Sequence, residues 1–289
     1  MRIGLWIDEH RPFPEVVADI EKAAAAGYDT AWIGERAGWD ALTVFAAAGD
    51  RGIGLGTAVT TTYPRHPLAL AAQALTTQAA TGGRLTLGIG PSHGPAVEDR
   101  YGLTFDRPGT HTEEYLGILR PALAGAAADL DGRVLTGHGG VVAPGVSAPP
   151  VLLAAHGPRM LRLARDRADG VLTTWTTPRA VAEEIRPTVG DDVAVVAGVV
   201  FALTGDPDGT RAEIGAAFAL ANDLPTYRRW LDLQGLAGAA DTVVAGDEQV
   251  LGDAVRAFAD AGVTEISAIP AGVGAERERT LAFLATLRT

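Results

Sequence analysis

The sequence predicts an α/β fold, a closed (β/α)8 TIM barrel, and three observations predict it. Short apolar strand segments alternate with helical segments along almost the whole chain, the pattern of right-handed βαβ units around a parallel sheet. Eight such units can be marked, where an open doubly wound sheet would show similar alternation without requiring that number. The first four strands close on polar residues or glycines, at the carboxyl ends where barrel active sites lie. The 289 residues suit one barrel of about 250 residues with insertions, so a single domain over residues 1–289 is expected.

Strands are expected to begin at Arg2, Thr30, Ile53, Arg84, Val151, Gly170, Val193 and Thr264. In the first helix Pro14 suits the opening turn, Val16, Val17, Ile20 and Ala24 share a face, and Gly27 can adopt the left-handed terminal conformation. In the helix after strand three Leu68, Ala72, Leu75 and Ala79 share one face, and Gly82-Gly83 ends it. The fifth starts at Pro158, and the last carries Leu281, Leu284 and Leu287. Two insertions interrupt the alternation, 91–110 after strand four and 131–150 before strand five. A third extra segment, 224–240, contains Tyr227-Arg228-Arg229-Trp230. Long connections in compact domains often serve as lids or binding loops.

The composition narrows the function. A formal charge of -11 disfavours nucleic-acid and anionic-membrane partners, which need a concentrated basic face. No apolar run approaches the roughly 18 to 20 residues of a membrane span. The short strand-like start at Met1 lacks a secretory pattern, which gives a cytoplasmic expectation. Without cysteine there is no thiolate chemistry, and Lys22, the only lysine, falls on a surface helix, away from any Schiff-base role. The six histidines show no metal-ligand spacing, so no metal is expected.

Three constellations remain. In Leu87-Gly88-Ile89-Gly90-Pro91-Ser92-His93, glycines at a strand end let backbone amides approach an anion and Ser92 adds a hydroxyl; alternatively the glycines only relieve crowding in the barrel. In His156-Gly157-Pro158-Arg159, free amides at a helix start beside an arginine suit a phosphate, or form an ordinary turn. The segment from Gly54 through Ala58, Val59 and Tyr63 to Pro67 is a buried strand opening into a polar, aromatic loop. Gly90-Pro91-Ser92-His93-Gly94 also matches the Gly-x-Ser-x-Gly elbow of serine hydrolases, but no histidine follows His156 to act as the late base.

Among carboxylates at strand ends, Glu35 is a candidate proton donor whose pKa aromatic neighbours such as Trp39 would raise; the competing reading is an ion pair with Arg36 or another arginine. Asp40 reads as a helix N-cap. Trp6, Trp39 and Trp175, with Tyr63, are candidate walls of a cleft for a planar ring, whereas Trp32 reads as core.

Together these segments resemble the luciferase-like monooxygenase family, in its branch that uses coenzyme F420, a 5-deazaflavin. The resemblance is strongest over Leu87 to Leu119, in Gly-Ile-Gly-Pro-Ser-His, Tyr-Gly-Leu-Thr-Phe-Asp-Arg-Pro and His-Thr-Glu-Glu-Tyr-Leu, and continues in Val151 to Leu161 and Ala168-Asp169-Gly170. It implies a barrel of the bacterial-luciferase-like type and a non-proline cis peptide at Ala58-Val59 backing the deazaflavin ring. It further implies a phosphate held by the strand-four turn, with Gly88, Gly90, Ser92 and His93, and by Gly157, Pro158 and Arg159. Members of this branch often carry Asp-His after strand two, where this chain has Glu35-Arg36, and the lysines some relatives use against sugar phosphates have no counterparts.

The expected activity is therefore hydride transfer between the deazaflavin and a small organic substrate bearing an activated C=C, C=N or carbonyl group. Glu35 and His93 are the proton-transfer candidates, and the resemblance implies a homodimer. The rivals are an FMN-dependent monooxygenase on the same barrel, a hydrolase using Ser92, and a barrel that only binds a ligand.

Overall fold

The computed structural model describes residues 1–287; Arg288 and Thr289, at the end of the expected domain, lie outside the described residues. Eight parallel strands follow one another around a closed barrel: β1 (Arg2–Trp6), β2 (Thr30–Ile33), β3 (Gly54–Thr57), β4 (Leu85–Gly90), β5 (Val151–Ala154), β6 (Gly170–Thr174), β7 (Ala194–Leu203) and β8 (Glu265–Pro270). Pairing of β8 with β1 and of β6 with β7 closes the ring. Each strand begins within one residue of its expected position.

Strand alternation sorts side chains into two layers. Ile3, Leu5, Ala31, Ile33, Leu85, Leu87, Ile89, Val151 and Leu153 face outward into the main core, where Val16 and Ile20 of the helix Phe13–Ala26 meet them. Intervening residues face the barrel axis, where Trp32, Leu152, Leu172 and Val196 form a separate cluster, with Trp6, Ala58 and Val59 packed on it. Trp32 is 1% exposed and fills the centre, as the core reading of this residue expects. Its indole fits because Gly4 and Gly56 flank it; a Cβ on Gly4 would fall 2.5 Å from Nε1. That Nε1 donates to the buried carboxylate of Glu265 at 2.7 Å, and Arg2 pairs with the other carboxylate oxygen at 2.7 Å.

The outer helices follow their caps. Gly27, at φ 85°, ends the first helix with its N–H on the carbonyls of Ala23 and Ala24, and Asp40 caps Ala41–Ala48 through the N–H of Thr43. The helix Pro67–Ala80 turns the face shared by Leu68, Ala72, Leu75 and Ala79 only partly inward: it buries Leu70, Ala71, Ala74, Leu75 and Gln78, while Ala72 and Ala79 are exposed. An alanine-rich helix offers too little contrast between faces for periodicity to set its rotation. The insertions also take form. A helix, Gly94–Tyr101, follows β4, and an antiparallel hairpin, Ala128–Asp131 with Thr136–Gly139, precedes β5. Glu114 holds the hairpin turn, accepting from the N–H groups of Arg133, Val134 and Leu135 at 2.7 to 2.9 Å. The third segment contributes the helix Pro225–Gln234.

Candidate active site

At the carboxyl ends of β3, β4 and β5 opens a cleft of about 390 Å³. Val59, Gly90, Ser92, His93, Gly157 and Arg159, all expected cofactor contacts, line it. The Ala58-Val59 bond is cis, as the resemblance implies, with the N–H of Ala58 bonded to the carbonyl of Ile33 at 2.8 Å. Gly90 faces Val59 closely: a Cβ there would come within 3.0 Å of Val59 Cγ2. Gly88 answers to the plainer reading, since a Cβ would overlap the carbonyl of Thr57 and Leu172, and it does not line the cleft. Ala58 packs on the barrel's inner cluster, and Pro158 opens its helix without lining the cleft.

Part of the cleft lining suits an anion. The helices Pro158–Arg167 and Pro108–Leu123 both begin there, each with proline at its start and no side-chain cap on its free N–H groups. Uncapped helix starts favour negative charge. Arg159 donates to Thr110 Oγ1 at 3.1 Å and crosses Gly109 so tightly that a Cβ there would fall 2.6 Å from Nε. Arg107, in the left-handed conformation at φ 47°, precedes the second helix and lines the same wall. A Cβ on Gly157 would meet nothing within 4 Å, so this wall stands open to a ligand.

The rest of the lining is uncharged. Val59, Ala154, Met160, Phe105 and Tyr227 contribute to it with His93 and His156. Tyr227 stands edge-on to both imidazoles, at 4.5 Å from His93 and 5.4 Å from His156. Burial lowers the pKa of His93, and that of His156 falls to about 4, so both are neutral near pH 7. Burial pushes Tyr227 up to about 12, which keeps its hydroxyl protonated. His156 Nε2 lies 3.1 Å from the carbonyl oxygen of Thr174 and 3.2 Å from its N–H.

The remaining expected residues lie elsewhere. Glu35 does not face the cleft: its Oε2 pairs with Arg65 at 2.5 Å, the ion-pair reading with a different arginine than Arg36. Arg36 pairs with the buried Glu9 at 2.9 Å and lies over the Trp6 ring. Trp6 packs with Ala58 and Val59, adjacent to the cleft. Trp39 is 46% exposed, edge-on to Phe13, with its indole N–H on the carbonyl of Arg11, so it is no cleft wall. Trp175 is buried in a second apolar cluster against Phe218. Tyr63 stacks on His111 at 3.9 Å, packs on Phe105 and donates to the carbonyl of Asp106, supporting the loop that carries Arg107. Asp8, Glu9 and His10 bring ligand atoms within 4.8 Å of one another, but Glu9 is taken up by Arg36 and Asp8 by His10.

Sequence reasoning assigned no role to Tyr227, His156, Phe105 or Arg107. His156 stood inside a recognised motif and Tyr227 inside a recognised insertion, yet only folding brings them together. Among the described residues no histidine hydrogen-bonds Ser92, so the base contact that a serine nucleophile uses is missing.

The family described as luciferase-like monooxygenase matches residues 1–279. The chain belongs to the luciferase-like monooxygenase family. It is 28% identical over 264 residues to the 5,10-methylenetetrahydromethanopterin reductase of Methanolobus tindarius, spanning 86% of this chain and 80% of that one. A Mycobacterium tuberculosis protein named for coenzyme F420-dependent oxidoreduction is 34% identical over 197 residues, 62% of this chain and 56% of that protein. Among solved structures, the coenzyme F420-dependent tetrahydromethanopterin reductase of Methanopyrus kandleri superposes with a TM-score of 0.78 at 22% identity, covering 99% of this chain and 97% of that one. This last likeness is one of backbone, and it agrees with the closed eight-stranded barrel.

Proposed function

We propose that this member of the luciferase-like monooxygenase family is a coenzyme F420-dependent oxidoreductase acting on a small organic substrate. The observation that carries the reading is the cleft's mixed lining: two uncapped helix starts with Arg107 and Arg159, beside the uncharged side chains of Val59, Ala154, Phe105 and Tyr227. Such a cleft fits a phosphorylated group with a planar ring. The relatives' names point to the deazaflavin as that group.

When bound, the deazaflavin supplies the hydride chemistry; the chain supplies geometry and a proton path. In this reading Ser92, Gly157, Arg159 and Arg107 hold the phosphate, and Ala58, Val59 and Gly90 bound the ring. Proton transfer falls to His93, whose imidazole lines the cleft and is neutral near pH 7. Glu35 drops from that role because its charge is committed to Arg65. Trp6 remains as a wall on the substrate side.

The test is titration of the purified protein with coenzyme F420 and with FMN. Saturable binding of F420 in preference to FMN is expected, and binding of neither overturns the reading. The same reading takes the protein as a cytoplasmic homodimer of single-domain subunits, an expectation carried by the family; light scattering checks the assembly.

A further inference from the structure

We propose that Glu35, through Arg65 and Asp40, is a positioning residue that sets the backbone on which the cofactor ring rests; this deepens the F420 reading above and rests on it.

The geometry begins with one carboxylate oxygen. Glu35 Oε2 accepts from Arg65 Nη1 at 2.5 Å and from the N–H of Thr61 at 3.2 Å. Arg65 spends its other arm on Asp40 Oδ2 at 2.5 Å. Asp40 Oδ1 caps the helix Ala41–Ala48 through the N–H of Thr43 at 2.7 Å and accepts from Gln73 Nε2 of the helix Pro67–Ala80 at 2.9 Å. Two helices and the end of β2 are thereby fastened to the single peptide N–H of Thr61.

That peptide lies two residues beyond Val59. Thr60 and Thr61 pair in parallel with Ile89 and Gly90, and the N–H of Thr62 donates to the carbonyl of Gly90 at 3.0 Å. The bracket therefore sets both Val59 and Gly90, whose close approach leaves no room for a side chain at Gly90. Side-chain exposures of 12% for Glu35 and 25% for Arg65 limit the access of water to the contact. Two polar atoms are left over, since Glu35 Oε1 and the Tyr115 hydroxyl are buried without a partner. A pair that owed its place to stability alone would be a poor choice here, because desolvation offsets much of the Coulomb gain of a buried ion pair. Burial raises the pKa of Glu35 against the opposing pull of Arg65, as that cost requires.

The experiment compares wild type, Glu35→Gln, Glu35→Ala and Asp40→Asn by titration with coenzyme F420, with induced circular dichroism of the bound chromophore as a second readout and thermal melting as a folding control. Glu35→Ala should bind F420 about tenfold more weakly and change the dichroism, the size expected for losing a charged hydrogen bond. Glu35→Gln keeps an acceptor for Thr61 and should fall between. A merely structural role would lower the melting temperature and leave the affinity and dichroism of the folded protein unchanged. Unchanged affinity and dichroism in Glu35→Ala overturn the inference while the F420 reading stands, whereas failure of wild type to bind F420 overturns both. Should Glu35→Ala not fold, Asp40→Asn carries the test: it keeps Glu35, loosens Arg65, and must weaken F420 binding or the inference is lost.

Discussion

Gly56 of β3 lies directly against the indole of Trp32 on β2, its register partner, so closely that any Cβ at Gly56 would overlap the ring. Trp32 has no free volume to yield into, being held by Gly4 on its other side and by the hydrogen bond to Glu265. Overpacking a rigid interior costs about 1 to 3 kcal/mol, and Gly56→Ala should lose stability in that range in urea unfolding. A change within about 0.5 kcal/mol, the size of an ordinary surface substitution, would mean the barrel centre is looser than the packing implies.

Removing Arg2 tests the foot of the same arrangement. Glu265 is fully buried while the Arg2 side chain is 62% exposed, so Arg2→Ala leaves the carboxylate with the Trp32 N–H but without its cation, and gives up a screened partner. A loss of about 1 to 2 kcal/mol at pH 8 is expected, below the figure for a fully buried pair. Burial already raises the pKa of Glu265, and losing Arg2 raises it further. The folded state then binds its proton more readily than the unfolded chain, so the penalty should shrink as pH falls, which unfolding at about pH 8 and about pH 5.5 would show.

His111 gives the opposite sign. Its pKa falls from 6.5 to about 4, chiefly by burial, against the pull of Glu114. Between those values the unfolded chain binds a proton that the folded chain refuses. Stability is therefore lost as pH drops from about 6.5 toward 4, by about 1.4 kcal/mol for each pH step of one crossed. His156 acts in the same direction. In His111→Gln the acid-side slope of the melting temperature should flatten; an unchanged slope would remove His111 from the linkage.

Where the lining suits an anion, Arg159→Ala should weaken F420 binding roughly five- to tenfold and reduce its dependence on salt, as expected for a charge-assisted contact beside a helix start. The fold should be little affected, since Arg159 is 60% exposed and its carboxylate neighbour Glu113 stands 3.9 Å away. Equal affinity at low salt would place the phosphate elsewhere in the cleft.

Much of this molecule was legible in the chain, and the misses follow a rule. Every barrel strand could be placed because burial between helices and axis demands short apolar runs closed by glycine or polar residues. Caps such as Asp40 and Gly27 are local and were readable for that reason. The face of Pro67–Ala80 was not, because alanine on all sides leaves rotation to the neighbours. Glu35 shows the same limit at the site: its residue type and strand-end position were plain, but its partner lies 30 residues further on.

The order of residues alone determined eight βα units, an acidic chain without cysteine and with one lysine, and two glycine-bearing turns suited to an anion. Those features depend on composition and on neighbours within a turn or two. Tertiary structure decided that Glu35 answers to Arg65, that Gly88 serves packing while Gly90 faces the cleft, and that Tyr227 from a late insertion stands between His93 and His156. The physical reason is that charge pairing, steric exclusion and burial act through space, and barrel closure sets distances between strand ends that no local pattern encodes.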